Sequence, residues 1–209
     1  MIAVKEMPAA EKYAAMSDNI ALFGRFMPAF VADRLGDQAV SELRQAWHAG
    51  LQSVPEGASL DEKYEIAYGN WVWMGKCNLA FVREKLGEDG LEALVSAEAE
   101  ALKQANAGVD VLLLGLIRAF APGRAFEMLA KDFAYKMQWV SPLSVTELSR
   151  ERAVINFPRC KIVEFPDTDD ACYIGCQKAY PRWVAEQFKA RLTFDRQDTQ
   201  CTCTLTPLA

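Results

Sequence analysis

The chain holds one histidine, His48. Any metal centre must therefore be built from thiolates or carboxylates, and any nucleophile that needs an imidazole base must find that one residue. There is no run of basic residues, and the formal net charge is −5, so a surface that collects the phosphates of nucleic acid or of an anionic membrane is not expected. A Gly-rich phosphate loop, a dinucleotide fingerprint, a serine elbow and a zincin helix motif are all missing, which argues against nucleotide, serine-hydrolase and metalloprotease readings. The first ten residues carry Glu6 and Pro8 and no basic start leading into an apolar core, so no secretory signal is expected. The longest apolar run, Val109 to Ala121, is interrupted by Gly115 and Arg118 and is too short to cross a bilayer. The expected compartment is the cytoplasm, where thiols stay reduced and six cysteines need not pair.

With 51% apolar and 24% charged residues in 209, the chain has the balance of a globular protein and enough length for a full core. No internal repeat or long linker divides it, so one α+β domain over residues 1–209 is expected. Its N-terminal part, mainly helical from 17 to 139, should form a layer packed on a small C-terminal antiparallel sheet.

After a start expected to be mobile, Ser17 can cap a helix with Ile20, Phe23, Met27, Phe30 and Val31 in helical step, ending at Gly36. A second helix follows from Asp37 to Leu51. Ser59 and Glu62 have the spacing of a capping box, so a third helix should begin at Leu60 and run to Gly87, with a fourth from Glu88 to Ala105. Val109 to Phe120 is apolar nearly all round, which predicts a central buried helix. Arg124 to Trp139 resumes the helical step with Phe126, Leu129, Phe133 and Met137. Beyond Ser141-Pro142 the period changes. Val154 to Phe157 has strand composition, extended by Lys161 to Phe165, and a short helix follows from the caps at 167–169. Leu192 and Phe194, then Cys201, Cys203 and Leu205, alternate as a hairpin turning at 196–199, both cysteines facing inward.

Residues 152–207 hold five of the six cysteines, and this stretch carries the chemistry. Cys172 lies near a helix start, where the helix dipole and free amides lower a thiol's pKa, so it is the candidate nucleophile. Asp169 and Asp170 beside it could orient a water or act as base, although such residues also serve as helix caps. Cys160, Cys172, Cys176, Cys201 and Cys203 could instead gather as a thiolate site, with zinc as the alternative cofactor, or could simply be packing. Tyr64, Tyr68 and Trp71, with Cys160 and Cys176, are candidates for binding a planar or apolar small molecule, against a plain core reading.

The C-terminal pattern resembles the L-2-amino-thiazoline-4-carboxylic acid hydrolase family. A strand leads to a cysteine (Val154 to Cys160), and acidic residues precede a second cysteine (Asp169-Asp170-Ala171-Cys172). A short helix (Trp183 to Phe188) and a final hairpin bearing a cysteine on its last strand (Leu192 to Cys203) complete the pattern. A more distant likeness is to the small-molecule-binding domains grouped with the 4-vinyl reductases. Gln197-Asp198-Thr199-Gln200 stands where the family has a glycine-aspartate turn. The resemblance implies a hydrolase acting on a small carbon-nitrogen heterocycle or amide, with Cys172 as nucleophile or site residue and Asp169 or Asp170 assisting; no cofactor is expected. The expected partner is a small-molecule substrate or ligand rather than nucleic acid or membrane; a homodimer would be ordinary for such a chain. A non-catalytic small-molecule sensor or carrier is the alternative.

Overall fold

The structure is a computed structural model that describes residues 2–208, the side chains at 109 and 110 excepted. Helices α1 (Ala9–Leu35), α2 (Asp37–His48) and α3 (Leu60–Ala105) form the first body of the fold. Helix α1 begins well before Ser17, whose hydroxyl donates inside the helix to the Tyr13 carbonyl at 2.9 Å. The residues ahead of it are tied down. Ile2 N donates to Val145 O at 2.8 Å, and the amide of buried Met7 donates to Gln138 Oε1 at 3.1 Å.

The capping box forms as the spacing predicts: the Ser59 hydroxyl accepts from the Glu62 amide, and the Glu62 carboxylate accepts from the Ser59 amide at 2.8 Å. Gly87 divides α3. Its φ of 67° and ψ of −162° lie where a side chain is strained, so the two expected helices meet there. Met27, Val31, Leu43 and Val82, fully buried, join α1, α2 and α3 in one apolar cluster.

A second cluster joins the helices to the sheet. Helix α5 (Pro122–Lys136) presents buried Phe126, Leu129 and Phe133, which pack with Tyr68 and Val72 of α3 against Ile155, Cys203 and Leu205. Those last three lie on the inner face of a four-stranded antiparallel sheet of β1 (Ser144–Leu148), β2 (Ala153–Phe157), β3 (Ala190–Gln197) and β4 (Gln200–Pro207), in the order β1-β2-β4-β3. The period-two alternation places Cys201, Cys203 and Leu205 on the buried side. The expected α+β arrangement of a helical layer on a small C-terminal sheet is what the chain forms.

The structure departs from the sequence reading at three further points. The stretch from Lys161 to Glu164 is a short 3₁₀ turn and does not extend β2; Pro158 has no amide for a ladder, and the Cys160 amide donates instead to Thr199 O at 2.6 Å. Strand β1 was not expected, since it shows one buried apolar residue, Val145, and carries a bulge between Val145 and Glu147. Helix α4 (Val109–Phe120) is not buried. Leu112, Leu116 and Phe120 are 72%, 63% and 89% exposed. Helix α5 occupies the place against the sheet, and α4 lies outside it; the side chains of Val109 and Asp110 fall outside the described residues.

These positions give opposite expectations for equal substitutions. Leu205→Ala should cost about 3 kcal/mol and Leu116→Ala no more than about 0.5 kcal/mol. Urea unfolding of the two variants measures both, and equal losses would contradict this packing.

Candidate functional site

One helical segment carries the site, and its local geometry follows from what ends each part. It comprises α6 (Asp169–Ala171), a π-helical stretch (Cys172–Ala179) and α7 (Tyr180–Phe188), joined without a break. Thr168 precedes it, buried, its hydroxyl donating at 3.0 Å towards the Ile162 and Phe165 carbonyls and so unable to cap the helix. The π register ends just before Pro181, which has no amide to continue an α-helical ladder. Long π stretches are rare and concentrate at functional sites.

Helix α3 holds one side of this segment. Arg83 makes a bidentate pair with Asp170, Lys178 pairs with Glu92, and Arg182 Nη1 donates to Ser96 Oγ at 2.6 Å. The other side faces the sheet. There Cys160, Cys172, Cys176, Cys201 and Arg196 line a cavity of about 20 Å³, room for about one water molecule.

Arg196 is held from two directions. It lies on β3 opposite Cys201 of β4, its Nη1 donates to Asp169 Oδ1 at 2.7 Å, and its Nε donates to Asp198 O at 2.9 Å. The same guanidinium stands beside the Cys172 sulfur. Cys172 is 6% exposed, and burial alone would push its thiol up. It goes down instead, to about 6, because the Cys176 S–H donates to its sulfur and Arg196 adds a second donor and a positive charge. The expected helix-terminus effect is thus not the main cause. Cys172 releases its proton to water, and Cys176 keeps its own, its thiol being raised by that hydrogen bond and by burial. Cys77, Cys160 and Cys203 are also raised, chiefly by burial, and Cys201 is pushed to about 12 for the same reason. Of the six thiols Cys172 is the one whose pKa is lowered, and the other five are raised.

The other sequence candidates divide. Asp169 reaches the site through Arg196, as a positioning residue. Asp170 does not reach it: its pair with Arg83 holds the carboxyl below its ordinary range and anchors the helix to α3. Cys160, Cys176 and Cys201 do gather around Cys172, while Cys203 sits between Ile155 and Phe194 in the sheet core. Among the described residues no three side chains of cysteine, histidine, aspartate or glutamate are disposed to hold a metal ion, which removes support from the five-cysteine zinc alternative. His48 is exposed at the end of α2 and lines neither this cavity nor the one described next.

Tyr64 and Tyr68 are structural. Their hydroxyls donate to the carbonyls of Trp139 and Val140 at 2.7 and 3.0 Å, and Lys161 Nζ lies 4.5 and 4.4 Å from their ring centres. Trp71 does line a cavity. It is a separate one, about 70 Å³, between α1, α3 and the π-helical stretch, with Phe23, Phe26, Cys176, Tyr180 and Glu98 in its wall. Cys176 and Ile162 belong to both cavities.

Arg196 and Glu98 escaped the sequence reading. A register argument could have found Arg196, since the hairpin that turns Cys201 inward must bring a β3 residue alongside it. Glu98 lies in an alanine- and glutamate-rich helix where any one acid looks solvated, and no sequence signal marks it.

The fold and site together define an α+β protein in which Cys160, Cys172, Cys176, Cys201 and Arg196 meet at the junction of a helix and a sheet. Comparisons with family models, with curated proteins and with solved structures found no match.

The electrostatics predict one early thiolate. Ultraviolet thiolate absorbance of the native protein should show a single step with a midpoint at about pH 6, thiolate increasing as pH rises. Cys172→Ser should remove the step, Arg196→Gln should move it upward, and Asp170→Asn should leave it in place. A native protein with no thiolate step below pH 8 would refute the assignment.

Proposed function

We propose that the protein is a thiolate hydrolase acting on a small carbon-nitrogen heterocycle or amide, with Cys172 as the nucleophile. The observation that carries this reading is the placement of Cys172 in one small cavity with Cys176 and Arg196, neighbours that lower its thiol. The resemblance to the L-2-amino-thiazoline-4-carboxylic acid hydrolases supports the same reaction class.

The two sulfurs share one proton and one negative charge, and that pair is sufficient for both halves of a hydrolysis. The Cys172 thiolate adds to the trigonal carbon of the substrate, forming a carbon-sulfur bond. As the carbon-nitrogen bond breaks, the leaving nitrogen takes the Cys176 proton, and the negative charge moves to Cys176. In the second half Cys176 takes a proton from water as the hydroxide adds to the same carbon, now bonded to sulfur. The carbon-sulfur bond then breaks and returns the charge to Cys172. Arg196 faces the negative charge at the start and end of the cycle, and Asp169 keeps the guanidinium in place. His48 has no role in this scheme.

The site also restricts the substrate. A space that admits about one water beside Cys172 accepts a reacting group and little more, so the electrophile must be compact.

The test is turnover of small cyclic amidines, thiazolines and amides together with intact-protein mass. Cys172→Ala should abolish turnover and the covalent adduct, and Cys176→Ala should lower kcat by about 10²-fold to 10⁴-fold. Turnover unchanged in Cys172→Ala would overturn the nucleophile role.

A further inference from the structure

The aromatic cavity next to the thiol site contains a feature that packing does not account for. Its wall is apolar and aromatic, from Phe23, Phe26, Trp71 and Tyr180, and one ionisable carboxyl, Glu98, enters that wall from α3. Among the described residues Glu98 makes no ion pair and no hydrogen bond. Glu98 as a whole is half-buried, and the burial of its carboxyl is the one influence that pushes it up, to about 7. The indole N–H of Trp71 is buried in the same region without an acceptor, and it is the one such side-chain atom among the described residues. A carboxyl left unpaired in an apolar wall is costly, and leucine would fill the place at lower cost. The surrounding rings present the negative faces that attract a cation, and a small organic cation would bring to Glu98 the charge and donor that the protein withholds.

We propose that this cavity is a binding site for a small organic ammonium or amidinium ion with an apolar, planar body, Glu98 pairing with its nitrogen and Phe23, Phe26 and Trp71 enclosing the rest. The site is separate from the chemistry at Cys172. It shares Cys176 and Ile162 with the thiol cavity but does not use the Cys172 sulfur. Ligands of this class bury most of their surface in apolar pockets with a few fixed polar groups, which is the composition of this wall. The volume of about 70 Å³ limits the body to roughly one ring.

The probes are 2-phenylethylamine and benzamidine, with 2-phenylethanol as the neutral counterpart, titrated into the full chain by calorimetry. The amine and the amidine should bind at one site, and the amine about tenfold more tightly than the alcohol. Glu98→Gln should abolish that preference. Cys172→Ser should bind as the wild type does, so loss of hydrolysis and loss of binding are separable results. Gly75→Leu supplies a control that does not touch Glu98. A Cβ at Gly75 meets nothing closer than Phe23 at 3.8 Å, so the added side chain should fill the cavity without unfolding the helix and should prevent binding. Equal affinity for amine and alcohol, binding unchanged in Glu98→Gln or Gly75→Leu, or no binding of either cation would overturn the proposal.

Discussion

A sulfur anion inside a protein persists only where a donor and a positive charge face it, and at Cys172 both are supplied by groups from different elements. Cys176 comes from the same helix, one turn on, and Arg196 comes from the hairpin. The arrangement therefore exists only when the helix is seated on the sheet. Asp169 completes it from the helix side, accepting from Arg196 at 2.7 Å. Its carboxylate is 86% exposed, so water screens its charge, and its main effect is on where the guanidinium points rather than on the field at the sulfur. The arginine consequently remains available to the thiolate instead of being neutralised by its partner.

Seating that helix is the work of α3. Arg83, Glu92 and Ser96 reach the helical segment, and Lys76 Nζ donates to Pro166 O at 2.7 Å in the loop ahead of it. Each of these contacts is near the surface and modest in energy. Their number and their spread along α3 matter more than the strength of any one, because together they set the rotation of the helix that aims Cys172 and Cys176 at β3 and β4. Asp170 belongs to this group. Adjacent to Asp169 in the chain, it points about 100° away around the helix and so meets α3 rather than the sheet.

The parts of the fold that were legible from sequence are those with a local cause. Ser59 and Glu62 announce a helix start, and Gly87 announces a break, because the relevant bonds and dihedrals involve neighbours in the chain. The hairpin was legible because alternation of Leu192, Cys201, Cys203 and Leu205 reports a one-sided sheet. Helix α4 was misread because apolar composition says that a helix can be buried and not that a place is free. Helix α5 takes the sheet face, with Phe126, Leu129 and Phe133 buried there. In the site, the cysteines were visible by type and spacing, but the cause of Cys172's acidity was not, since Arg196 at the end of a hairpin reads as a solvated charge. Tyr64 and Tyr68 were overread for a related reason. Their hydroxyls are satisfied by carbonyls more than seventy residues away, a pairing that helical spacing cannot reveal.

The two cavities meet at Cys176, and that contact has a physical consequence for the thiol pair. The proton shared between the sulfurs stays on Cys176 because the charge is better stabilised at Cys172, beside Arg196. On its other side Cys176 faces the aromatic cavity, where the strength of its hydrogen bond depends on how much water is present. Filling that space with an apolar body lowers the local dielectric and strengthens the S–H···S⁻ interaction, whereas water weakens it. A positive charge placed at Glu98 acts differently, because it is balanced at once by the carboxylate and leaves little net field at the sulfur. The dry body of an occupant, more than its charge, is thus what the thiol pair would sense.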